Sequence, residues 1–407
     1  MYQLNKLVHF SIILGFIILA GCANQDSETT TDILSGDWTA IEEAGEGQTV
    51  HLFMWGGDEG INQYIDDYVT PELKKRYSIS VERHPMNTED FIAKLQTEKQ
   101  AGKTTGTMDI IWINGENFKK SKENGLLLGD FSSELPNVKN HIGIDQAFTN
   151  YDMGTAIEGQ EAPWGKVQFV FIYDEARVKN PPQSFKELIE WVKKNPNRFT
   201  YPNVKDFTGN AFIRQLMYDV AEEPTEIAGG YNQGWVDENG EQVWNMLNEM
   251  KPYLWRNGET YPDSLAQLDK MYANGVVDFT MGFNEKRINS LIEEGTFPST
   301  TKTLVLEPGS IGNTHYLSIP FNSPHPAAAM IAINFMLSPE AQTKKMDPSM
   351  WGEGSVLNRE KLTKKQLNQF EKVWGESIVP SDAILSDLDT EYTNWIKENW
   401  ENEVVKN

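Results

Sequence analysis

The chain has 407 residues, 36 Lys and Arg against 59 Asp and Glu, a net charge of −23 and 39% hydrophobic residues. That length suits about two domains with ordinary packed cores, which excludes a disordered or collagen-like chain. The acidic balance excludes the basic stripe that nucleic acid or an anionic lipid surface requires. A single Cys excludes an internal disulfide and a Cys-based zinc site.

The amino terminus accounts for that Cys. Met1 to Lys6 carries one positive charge, Leu7 to Leu19 is a mostly apolar run, and Leu19-Ala20-Gly21-Cys22 closes it. A short apolar core before small residues reads as an export signal over residues 1–21, too short for a comfortable spanning helix. Its last four residues resemble the bacterial lipoprotein signal. The resemblance implies that Cys22 is acylated on sulfur and becomes the new amino terminus, holding the exported protein at the outer face of the cell membrane. Residues 22–47, rich in Asp, Ser, Thr and Glu from Asn24 to Ser35, read as a polar tether, which favours a monomer.

From Thr49 the pattern alternates strands and helices. Thr49 to Trp55 reads as a strand ended by Gly56-Gly57, and Ile61, Tyr64, Ile65, Tyr68, Val69 and Leu73 follow at helical spacing. Ile79 to Arg83 is a second strand and Thr88 to Gln100 a helix with Thr88 as N-cap. The nearly all-apolar Met108 to Ile113 is a third strand, central and buried on both faces. This is a strand, helix, strand, helix, strand unit with a parallel sheet. A second unit begins with the apolar run Val167 to Tyr173. A helix opened by Ser184 runs to Lys194, Phe199 to Tyr201 reads as a short strand, and Thr208 caps a helix to about Val220. Glu222 to Gly240 reads as a long exposed excursion. Gln242 to Trp255 and Leu265 to Ala273 read as helices, Val276 to Gly282 as a strand, and Ala327 to Leu337, Lys364 to Trp374 and Asp387 to Trp400 as helices.

Several motifs fail. Gly102-Lys103-Thr104 resembles the end of a P-loop, but position 97 is Thr and the segment follows a helix, so it reads as a helix stop. There is no Gly-x-Ser-x-Gly elbow, His-Glu-x-x-His or calcium loop. The six His, at 9, 51, 84, 141, 315 and 325, are scattered and read singly as surface or core residues. No metal, cofactor or catalytic pair is expected from them.

An exported chain with two α/β lobes resembles the solute-binding proteins of ABC importers. Trp55-Gly56-Gly57-Asp58, Trp112-Ile113-Asn114-Gly115-Glu116-Asn117-Phe118, Pro163-Trp164-Gly165, Asp206-Phe207-Thr208-Gly209 and Pro252-Tyr253-Leu254-Trp255-Arg256 look like the YnjB-type extracellular family. Gly312-Asn313-x-His315 and Leu337-Ser338-Pro339-Glu340-Ala341-Gln342 extend the likeness, in order, over about residues 47 to 400. The resemblance implies a type II periplasmic-binding-protein fold, two α/β lobes with mostly parallel sheets joined by a two-crossing hinge. Lobe one takes residues 48–162 and 283–335 and lobe two 166–278, with crossings near Pro163 to Gly165 and Met281 to Asn284. Residues 336–407 form helices packed on the lobes. It also implies a permease and an ATPase as partners and no catalysis.

In open α/β sheets ligands lie beyond the carboxyl ends of strands. Trp55, Gly56, Gly57 and Asp58 stand at one such end and Asn114, Gly115, Glu116 and Asn117 at another, with glycine backbone and a tight turn as competing accounts. Thr208 and Gly209 would present free N–H groups at a helix start. An aromatic wall of Trp55, Trp164, Phe207, Trp255 and Phe283 with Asp58, Glu116 or Glu285 nearby suits an organic cation such as thiamine or a polyamine, and Asn284, at the second crossing, and Asn313 join the candidate ligand-binding set. An anion or a sugar is the next reading. A surface-anchored glycan hydrolase and a structural lipoprotein are the rivals from other classes.

Overall fold

The computed structural model describes residues 37–375 and 383–406; the export signal and Cys22 lie outside the described residues. The tether ends earlier than expected, because Trp38–Gly45 is a helix. Its Ile41 enters the core, and a Cβ on Gly45 would stand 2.5 Å from the Ile331 side chain.

Ten strands are described: β1 (Thr49–Met54), β2 (Ser80–Pro85), β3 (Ile110–Ile113), β4 (Tyr151–Asp152), β5 (Thr155–Ala156), β6 (Glu161–Asp174), β7 (Phe279–Phe283), β8 (Thr301–Leu304), β9 (Ser310–Ser318) and β10 (Ile384–Leu385). They run β2-β1-β3-β9-β6-β7, with β8 on β6 and β10 on β9, and a separate β4-β5 hairpin. The parallel unit is present, β1 pairing with β2 and with β3, and a helical stretch from Glu59 to Tyr77 and the helix Thr88–Gln100 make its crossovers. Beyond it the expected parallel pairing gives way: β9 is antiparallel to β3 and β6, and β6 to β7 and β8. The reason is that β6 leaves the first half of the molecule and β9 returns to it, so the two run in opposite senses. Residues Glu161 to Gln168 of β6 pair with β9, and Phe169 to Asp174 pair with β7 and β8.

The cores follow this division. In the first half Val50, Leu52 and Leu317 pack under the helix Pro326–Met336, apolar except for Asn334, while Phe53, Ile111 and Ile113 face Phe91, Leu95 and Phe118 on the other side. The third strand is therefore buried on both faces, as its composition requires. In the second half Val170, Ile172 and Phe279 pack against Phe212, Leu216 and Leu247. Ile288, Phe297, Leu304 and Leu306 belong to this second core, so the chain changes half along β9 rather than near Met281 to Asn284. The carboxyl-terminal region is shared: Ala341, Met346 and Phe370 join the first core, and Leu388, Tyr392, Ile396 and Trp400 the second.

Local expectations that failed did so for identifiable reasons. Residues 199–201 are buried but carry no strand ladder; Phe199 O accepts from Trp255 N at 2.8 Å instead. The excursion over 222–240 ends at Asn232, which caps the helix Gln233–Met250. Its Gly240 is there because a Cβ would stand 2.9 Å from the Trp395 ring, a packing requirement invisible to local propensity. Asn87, not Thr88, occupies the N-cap position of Thr88–Gln100, and Asp206, not Thr208, caps Phe207–Val220.

Candidate solute-binding cleft

Where the two crossings meet, a polar seam joins the halves. Asn114, just past β3, donates through Nδ2 to Asn313 Oδ1 of β9 at 3.1 Å, and Asn313 Nδ2 donates to Asp387 Oδ2 at 3.0 Å. The other oxygen of Asp387 takes a hydrogen bond from Arg214 Nη1, on the helix Phe207–Val220. Arg214 is fully buried, with its guanidinium 5.2 Å from the centre of the Phe207 ring. Its Nε and Nη2 have no hydrogen-bond partner among the described residues. These two atoms form one edge of the guanidinium, the edge that grips a carboxylate or phosphate with two parallel bonds. Phe207, half exposed, lies 5.2 Å from Phe283, which in turn lies 5.6 Å from Phe169.

The residues expected beyond β3 are largely engaged by protein. Gly115 adopts φ +54, where a Cβ would stand 2.6 Å from Met153 Sδ, and its N–H goes to Asp152. Burial pushes Asp152 up to about 8, and the Asp387 charge acts in the same direction. Glu116 pairs with Lys120 and, at 2.9 Å, with Lys397 of the helix Thr390–Trp400, while Lys119 pairs with Glu391 of that helix. Despite the opposing effect of burial, these two lysines hold the Glu116 carboxyl below its ordinary value. Both ion pairs tie the helix Gly115–Glu123 of the first half to a helix packed on the second core. Asn117, one residue further on, is half-buried.

Beyond β1, the exposed Trp55 lies against Gly57, where a Cβ would stand 2.3 Å from the indole, and Asn62 holds Gly56 O at 3.0 Å. Asp58 caps the following helix through Ile61 N at 3.1 Å. An open hollow of about 520 Å³ lies here, lined by Gly56, Gly57, Asn62 and Gln63 with the acids Glu59, Asp66 and Asp67. Thr208 and Gly209 are not free donors, since Asp206 Oδ1 accepts from both at 2.8 and 3.2 Å. Trp164 is not a wall residue either: it is wholly buried, 4.8 Å from Trp351 and 5.5 Å from Trp112. Trp255 packs on the second core with Arg256 over its ring, and Asn284, at φ +76, turns the chain after β7. Sequence reasoning missed Arg214 and Asp387. The available signal was a charged residue in the stretch Ala211 to Met217, where Gln215 is the one other polar residue, of a helix buried nearly all round.

Two α/β cores joined by crossing strands, with a polar seam between them, give the chain the two-lobed type II periplasmic-binding fold. Residues 69–364 match the bacterial extracellular solute-binding protein family, and the chain belongs to that family. It is 33% identical over 394 residues to Protein YnjB of Escherichia coli K12, covering 96% of this chain and 98% of the relative. Among solved structures, an ABC transporter protein from Clostridium perfringens superposes with a TM-score of 0.62 at 16% identity, covering 87% of this chain and 98% of the other. The spermidine/putrescine substrate-binding protein PotD of Streptococcus pneumoniae does so with 0.62 at 16%, covering 88% and 98%. The family is one of solute binders rather than enzymes, which removes the hydrolase rival. No described helix is long and apolar enough to cross a membrane.

Proposed function

We propose that the protein is the capture subunit of an ABC importer, anchored through Cys22 as a monomer, and that its solute carries a carboxylate or phosphate received by Arg214. The lobes are residues 49–162 with 315–375, and residues 169–311 with 383–405; the solute enters between them and passes from the closed form to the permease and ATPase. One observation carries the solute class: a fully buried guanidinium keeps its Nε and Nη2 edge unpaired beside the half-exposed Phe207. Leaving buried donors unsatisfied costs roughly 1–3 kcal/mol each, which an acidic solute group would recover. Asn114, Asn313, Phe207 and Phe283 complete this site, and Trp55 to Asp58, Asn117, Trp255 and Asn284 stand further out.

The open hollow favours a second reading. Its acids Glu59, Asp66 and Asp67 beside the exposed Trp55 suit an organic cation, thiamine or a polyamine, although Asp66 already pairs with Arg83. Native mass spectrometry of the full chain, followed by thermal shift over carboxylates, sugar phosphates, thiamine and polyamines, separates the two. A co-purified or stabilising solute with an acidic group supports the Arg214 reading. Stabilisation by polyamines or thiamine alone replaces it.

A further inference from the structure

We propose that His51, Glu82 and His84 form a binding site for one late first-row divalent metal ion, best matched by zinc, at the partly exposed margin of the β1 and β2 face that also carries Phe53. In the parallel register His51 stands opposite Glu82, and Phe53 opposite His84. Residues two apart in a strand share a face, so all three side chains project on the same side of the sheet. Sequence spacing hides this, because 33 residues separate the two His.

The geometry fits an ion. His51 Nδ1 lies 3.0 Å from His84 Nε2 and 3.4 Å from Glu82 Oε2, and all three donor atoms lie within 4.8 Å of one another. A tetrahedral zinc with bonds near 2.05 Å places its ligand atoms about 3.3 Å apart. The separations of 3.0 and 3.4 Å from His51 Nδ1 bracket that value. The His84 ring is held by stacking on Phe53, with centroids 4.5 Å apart and planes at 16°, so one ligand is already oriented. The His51 side chain is 30% exposed and that of Glu82 60%, which leaves the fourth position open to water. Two imidazoles with one carboxylate favour zinc and its neighbours over magnesium or calcium, which take oxygen ligands. Strand β2 is the edge of the large sheet. A metal bridging His84 and Glu82 to His51 would clip that edge to β1. The site stands mid-strand, whereas the seam lies beyond the end of β3, so it is independent of the solute reading.

The test uses the full chain in detergent, stripped with chelator, with zinc chloride as the probe in calorimetric titration and thermal melting. Saturable one-to-one zinc binding that raises Tm, with magnesium and calcium silent, is the expected result. Glu82→Gln, at an exposed position, and His84→Gln should each weaken it about tenfold or more while metal-free Tm and circular dichroism stay unchanged. Absence of saturable zinc binding, or zinc binding of unchanged affinity in Glu82→Gln and His84→Gln, overturns the proposal.

Discussion

Replacing Asp152 by Asn isolates one buried titration. Asp152 lies in the β4-β5 hairpin, and burial pushes it up to about 8 from an ordinary 3.8, against the pull of the Gly115 N–H. Between those values the folded protein holds a proton that the unfolded chain has released. Stability from this group is therefore complete at low pH and is lost as pH rises, at about 1.36 kcal/mol per unit. From pH 5 to pH 7 the loss is about 2.7 kcal/mol. Glu161 is raised first by burial, which the variant keeps, and then by the Asp152 charge, which the variant removes, so its loss has the same sign in both proteins and only the burial part cancels. Lys166 and Lys345, lowered by burial to about 8 from 10.5, are protonated in both states in this window and change stability only at higher pH. Asn keeps an oxygen for the Gly115 N–H. Urea unfolding of wild type and Asp152→Asn, followed by tryptophan fluorescence at pH 5, 6 and 7, should show the variant gaining about 2.7 kcal/mol on the wild type across the range. Curves that stay parallel would refute the buried-acid account.

Arg214→Met should lower unfolding free energy by about 3–5 kcal/mol by stranding the buried Asp387, and adding Asp387→Asn should restore most of it; urea titration reads both, and the same pair should lose stabilisation by any acidic solute. Glu116→Gln removes two partly exposed ion pairs, each worth about 0.2–1 kcal/mol, so its stability loss in urea unfolding should stay below about 2 kcal/mol. Gly240→Leu forces a side chain into the Trp395 ring and should destabilise by about 1–3 kcal/mol in the same assay, despite the better helix propensity of Leu.

The architecture was legible because it rests on local periodicity and on long ordered motifs. The parallel β1-β2-β3 unit, the helix at 265–273 and the helix at 364–374 follow from spacing alone. What sequence could not supply was long-range pairing. β9 carries Gly312, Asn313 and Thr314 among its apolar residues and shows no clean alternation, yet it is the strand that joins the two halves. Glu116 looked free because its partner Lys397 lies 281 residues away, and Thr208 looked free because the acid two residues before it takes the N–H groups. Trp164 looked like a wall residue because an aromatic at a crossing cannot be told from a core aromatic without its neighbours Trp112 and Trp351. Arg214 went unnoticed for the converse reason: its importance lies in the bonds it does not make.

The proposed closure can be tested against magnitudes. Two ion pairs, Lys397 with Glu116 and Lys119 with Glu391, cross between a first-half helix and one packed on the second core. At about 0.2–1 kcal/mol each they supply at most about 2 kcal/mol, a bias of roughly thirtyfold between closed and open forms. Moving such an equilibrium from mostly open to mostly closed takes about 5.5 kcal/mol of differential affinity. Surface pairs alone fall short, so the solute must provide the rest through contacts that exist only when the halves meet. The Arg214 edge, with two charge-assisted hydrogen bonds at about 1.5–3 kcal/mol each, would hold the solute on the second half in either form, so the closing free energy has to come from first-half groups such as Asn114 that reach the solute only when the halves meet. Arg214 is also linked through Asp387 and Asn313 to Asn114 at the end of β3, so a solute held there acts on the seam that both halves share. The ion pairs would then orient the approaching faces, and the solute would supply the larger part of the closing free energy.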